Sequence, residues 1–110
     1  MTWDQEAVRD ELERHEARKR QDADDCRRKA KSDPAYRGFH DYEHAEEMIA
    51  FVLKTNAALR SRDRFLERLR EMEIGVRNGD FDTESLFSQK DYRAHAVAYL
   101  KRLRRQYSDK

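Results

Sequence analysis

Apolar residues recur along this chain at spacings of three and four, the period of one helical face, in four stretches separated by turn-forming residues. Thr2 with Gln5 three positions on has the form of a capping box and predicts a first helix to about Lys31. Its stripe holds Val8, Leu12, His15, Ala23, Cys26 and Ala30, with Lys19 in the same line. The stripe is narrow and made mostly of small groups, so this helix is long and weakly amphipathic. Opposite charges four apart, Glu16 to Arg20 and Asp25 to Lys29, support it without a core.

Ser32-Asp33-Pro34 and then Gly38 interrupt the pattern, and Asp41 is placed to cap a second helix from Tyr42 to about Arg60. Its apolar arc holds Tyr42, Ala45, Met48, Ile49, Val52, Leu53 and Leu59, which makes it the core helix. Asn56 projects into the middle of that arc and requires a hydrogen-bond partner there. Ser61 or Asp63 caps a third helix reaching about Asn78, with Phe65, Leu66, Leu69, Met72 and Val76 on one face. No strong breaker lies between Thr55 and Arg64, so helices two and three could run on as one. Gly75 weakens the last turn of helix three, and Asn78-Gly79 ends it as a left-handed cap.

Asp82 starts a short helical turn through Leu86 and Phe87. Ser88 with Asp91 then repeats the capping-box spacing before a final helix to about Tyr107. There Tyr92, Ala96, Tyr99, Leu100, Leu103 and Tyr107 share one arc. No sustained period-two alternation of β-branched residues appears, so the pattern predicts an all-α fold, a small bundle of four main helices in one domain over residues 1–110.

Composition sharpens this picture. Of 110 residues 43% are charged, yet 24 Lys plus Arg against 23 Asp plus Glu leave a net charge of +1. The hydrophobic fraction of 37% gives a thin core, which a partner or a second copy in a homodimer would complete. The longest apolar run, Met48 to Leu53, is far short of the roughly 20 residues of a membrane span. The N-terminal residues are acidic and polar where a signal peptide is basic and then apolar, so the expected location is the cytoplasm.

Three groups of residues could carry chemistry. The last helix bears Arg93, Lys101, Arg102, Arg104 and Arg105 with no acid between Arg93 and Tyr107. Such a face suits an acidic protein surface or nucleic-acid phosphates, or is simply a solvated face favoured by the helix dipole. The low net charge weighs against strong nonspecific DNA affinity. Second, His40, His44 and Glu47 have the spacing of transition-metal ligands on one helical side. The same segment fits an H-x-x-E-H pattern, but a chain of 110 residues cannot supply the downstream ligand and cleft of a peptidase. Third, His40, His44, Glu47 and Phe51 form a stripe opposite the core arc of helix two. Either helix one covers it, with Ala23, Cys26 and Ala30 small enough to approach closely, or it is a partner or dimer surface. Trp3 poses the same choice between an N-terminal staple and an exposed anchor.

Cys26, the single cysteine, has basic neighbours that favour a thiolate and acidic ones that oppose it, and reads as a small residue on a helix seam. No Gly-rich phosphate loop, catalytic constellation or cofactor motif is present. The sequence therefore predicts a non-enzymatic protein-binding module, an adaptor, regulator or stoichiometric inhibitor of the kind a phage or mobile element encodes. Its expected partner surface is Arg93, Lys101, Arg102, Arg104 and Arg105 for an acidic protein, with His44 and Phe51 for an apolar contact. The alternatives are a nucleic-acid binder using the last helix and a metal-binding protein using His40 and His44.

Overall fold

In the computed structural model, which describes residues 3–55, 57–80 and 89–108 (the side chains of 37–41 and 89–92 apart), four helices and no strand are present. They are α1 (Gln5–Lys29), α2 (Tyr36–Leu53), α3 (Arg62–Arg77) and α4 (Gln89–Ser108). α1 packs against α2 and α3 against α4, and contact between α2 and α4 joins the two pairs. The all-α bundle read from the sequence is thus the architecture of the chain.

The helix ends explain the boundaries. α1 is capped by Asp4, whose side chain accepts from the amide of Ala7, so the cap is not Thr2, which lies outside the described residues. α2 begins six residues before the predicted Tyr42. Asp33 Oδ1 accepts from the amide of Ala35, and Pro34 stands ahead of the first turn, where no helical bond needs its missing N–H. Gly38 and Asp41 consequently lie inside the helix, so position 41 is not its start.

α2 also stops at Leu53 rather than near Arg60. A turn follows in which the amide of Leu59 donates to Thr55 O at 3.0 Å and that of Ala58 to Thr55 Oγ1 at 3.3 Å. Helices two and three are therefore separate. Ser61, whose hydroxyl accepts from Arg64 N, is the cap of α3. At its far end Gly79 takes φ 87°, and Asp80 N donates to Gly75 O while Gly79 N donates to Val76 O. That paired closure is a Schellman motif, and it demands the left-handed residue that glycine supplies. The predicted turn from Asp82 to Phe87, the Ser88 cap and the Asn56 side chain lie outside the described residues.

The core runs through all four helices: Val8 and Leu12 of α1, Ile49, Ala50 and Leu53 of α2, Phe65, Leu69, Met72 and Val76 of α3, and Ala96, Tyr99, Leu100, Leu103 and Tyr107 of α4. Leu59, from the turn before α3, is completely buried among them. Trp3 folds back as a staple. Its ring meets Phe65 at 5.5 Å and Tyr107 at 5.9 Å, and its Nε1–H donates to Leu59 O at 2.8 Å.

Two departures from the predicted arcs matter for function. Met48, assigned to the core arc of α2, is 45% exposed, and Phe51 is 54% exposed. α1 therefore leaves Phe51 uncovered, although its Arg20 reaches Glu47 of the same stripe. The buried face of α2 is instead Ala45, Glu46, Ile49, Ala50 and Leu53, rotated so that a carboxylate enters the interior.

Candidate functional site

Two charged regions emerge, one turned inward and one outward. The inward one centres on Glu46 of α2, which is 5% exposed. Its Oε1 accepts from His15 Nε2 at 3.1 Å and from Arg102 at 3.1 Å, and its Oε2 accepts from His95 Nε2 at 2.9 Å. Lys19 Nζ stands 3.8 Å from Oε2 and 2.7 Å from Glu43. An ionised carboxylate only accepts, so each imidazole nitrogen facing it carries its proton. Flat rings brace both imidazoles, Tyr99 stacking on His15 at 4.7 Å and Tyr42 on His95 at 4.8 Å. The Arg102 guanidinium lies over Tyr99 at 5.2 Å.

These contacts set the protonation states. Burial alone would push the Glu46 carboxyl up, but the hydrogen bonds from His15 and His95 and the charge of Lys19 outweigh it and hold it well below the usual carboxylate range. The Tyr99 hydroxyl is pushed up by burial and by the neighbouring Glu46. A carboxylate so firmly ionised and so fully hydrogen-bonded is a weak base. Its work is to fix α1, α2 and α4 against one another.

A second buried carboxylate, Glu16 of α1, is closed by Arg20 at 3.0 Å and by Lys54 at 2.7 Å. Arg20 also reaches Glu47 at 2.8 Å, and His44 Nδ1 meets Glu47 at 3.1 Å. Burial would raise the Glu47 carboxyl, yet Arg20 and His44 bring it below its ordinary value. The carboxylate proposed beside His40 and His44 as a metal ligand is thus held by a guanidinium, which disfavours a cation there. The His40 side chain lies outside the described residues. Among those residues no group of three His, Cys, Asp or Glu is arranged around a cation position. Burial pushes the Cys26 thiol up, with Glu43 adding to it, so the half-buried thiol is not an activated thiolate. The predicted Asp25–Lys29 pair is replaced by Asp25 with Arg28, and Lys29 lies over the Tyr36 ring at 5.3 Å.

The outward region is on α4 and the end of α3. The five cations read together from the sequence are divided by the fold. Arg102 is engaged by Glu46, and Arg104 donates to Glu73 at 3.0 Å. Lys101 and Arg105 are exposed and hold no carboxylate among the described residues. Arg93 and Lys101 border an open groove of about 530 Å³, together with Arg77 from the last turn of α3. Ala94, Val97 and Ala98 form its floor. Arg77 is held by Glu73 at 3.1 Å. Phe51 is exposed on α2 under the Lys54 ammonium at 5.5 Å, and His44 is half-exposed beside Glu47.

Sequence reasoning missed Arg77, because only the pairing of α3 with α4 brings it beside Lys101. It missed Glu46 and the burial of Glu16, whose predicted pairing with Arg20 is present, although each acid falls at helical spacing within a buried face. An acid placed in an apolar arc was the signal. Among the described residues no helix is long and apolar enough to cross a membrane. Comparison with protein-family models, with curated proteins and with solved structures gave no match.

Proposed function

We propose that this chain is a non-enzymatic protein-binding module, an adaptor, regulator or stoichiometric inhibitor acting in the cytoplasm. It captures an acidic protein surface through the outward face of α4, with Arg93, Lys101 and Arg105 as its main cations. The observation that carries this is the division of the basic residues: Arg102 and Arg104 are satisfied within the fold, while Lys101 and Arg105 have no carboxylate partner among the described residues. Lys101, exposed beside the apolar groove floor, combines electrostatic steering with a neighbouring apolar contact. The exposed Met48 and Phe51 support a second, apolar contact on α2, to the same partner or to a second copy in a homodimer.

Reversing two exposed charges, Lys101→Glu with Arg105→Glu, should leave the circular dichroism spectrum unchanged and weaken partner capture at least about tenfold at physiological salt. The check is affinity capture from source-cell lysate with and without nuclease. Capture that survives the double reversal contradicts the reading. Capture that disappears on nuclease treatment assigns the same face to nucleic acid.

A further inference from the structure

The outward side of α1 carries Asp10, Glu13 and Ala17, and all three are exposed. Read from its C-terminal end, α4 presents Arg105, Lys101 and Ala98, exposed as well. Steps of three and four keep each run on one helical side, over about 10 Å at 1.5 Å per residue. Among the described residues the side chains of Asp10, Glu13, Lys101 and Arg105 enter no ion pair. One molecule thus offers two outward faces of opposite sign.

Within one copy α1 and α4 run antiparallel: Gln106 donates to Glu11 at 3.2 Å, Tyr107 donates to the same carboxylate, and His15 stacks on Tyr99 at 4.7 Å. That register sets Asp10 level with Arg105, and Glu13 level with Lys101, to within about 3 Å along the bundle. A twofold axis parallel to these helices keeps every residue at its own level. We infer that two copies of this chain associate across such an axis, with Asp10 of one against Arg105 of the other, Glu13 against Lys101 and Ala17 against Ala98. The contact then occurs twice. Charge complementarity selects this occupant and its direction: α1 reads acid, acid, small and α4 reads small, base, base, an order that only antiparallel helices match. The paired alanines let the axes approach to about 8 Å. A net charge of +1 sets little long-range repulsion against a second copy. Arg14 and Arg18, one and two turns on from Glu11, and Arg102, one turn before Gln106, border the same seam and oppose the pairing. The dimer is therefore weak, with a dissociation constant on the order of 10 μM. Lys101 and Arg105 are also cations of the partner-binding reading, which the inference extends: a self-associated copy hides the face that captures the partner.

The test is sedimentation velocity of the full chain from about 1 to 300 μM, a range that brackets the expected constant. The wild type should pass from monomer to dimer, and added salt should return it to monomer. Asp10→Lys with Glu13→Lys, and separately Lys101→Glu with Arg105→Glu, should each stay monomeric with an unchanged circular dichroism spectrum. An equimolar mixture of the two should dimerise again, because each reversed face then meets its opposite. A wild type monomeric throughout, a dimer that survives either reversal or high salt, or a mixture that stays monomeric overturns the inference. The salt response of the wild type decides the matter if a variant fails to fold. Partner capture from lysate is read separately, so a monomeric wild type that still captures overturns self-association alone.

Discussion

Phe65→Ala should lower the unfolding free energy by about 4 kcal/mol, the range for deleting a large buried aromatic ring. Phe65 is fully buried on α3, with Trp3 at 5.5 Å and Tyr107 edge-on at 5.2 Å. Three distant parts of the chain meet at this ring: the residues ahead of α1, the start of α3 and the end of α4. The cavity cannot collapse cheaply, because Trp3 is tied to Leu59 O through its indole N–H. In a domain of this size the loss corresponds to a fall in Tm on the order of 20 °C. Trp3 emission should shift to longer wavelength as water reaches the cavity. Ile74→Ala, on an exposed position of the same helix, should change stability by less than about 0.5 kcal/mol.

Glu46→Ala should cost about 2 to 3 kcal/mol, less than the 3 to 5 that follows breaking a wholly buried ion pair. The reduction comes from its partners. Lys19 keeps Glu43, and the Arg102 side chain is exposed enough to turn into solvent. What is lost is the acceptor for two stacked imidazoles, His15 on α1 and His95 on α4. The folded-state pKa of Glu46 lies below its ordinary value of 4.5, so its contribution is complete above that value and is lost as the pH falls toward the depressed one. Equilibrium denaturation from about pH 6 down to about pH 3 should show the wild type losing stability more steeply than Glu46→Gln. Parallel profiles would show that Glu46 carries no such linkage.

Legibility in the sequence followed the range of the interactions. The arc Ala96, Tyr99, Leu100, Leu103 and Tyr107 was visible because α4 repeats its apolar residues at helical spacing, and all five are buried. The Gly79 closure was visible because a left-handed residue is a local demand. The start of α2 was hidden, since Pro34 and Gly38 read as breakers while the Asp33 turn makes the first compatible with a helix entry. Its end was hidden because it depends on burying Leu59 and on Trp3, 56 residues away. The Glu46 site was equally hidden: its donors lie 31, 49 and 56 residues off in sequence. For the same reason Arg102 looked like a free surface cation.

The measurement that bears most directly on the outward face of α4 is an amide-resolved NMR titration of the full chain with poly-glutamate, an acidic polypeptide. The largest shifts should fall on Arg77, Ala94, Val97, Ala98 and Lys101, shrink with added salt and vanish in Lys101→Glu. Largest shifts at Met48 and Phe51, or no change along α4, would contradict the assignment of this face as the binding surface.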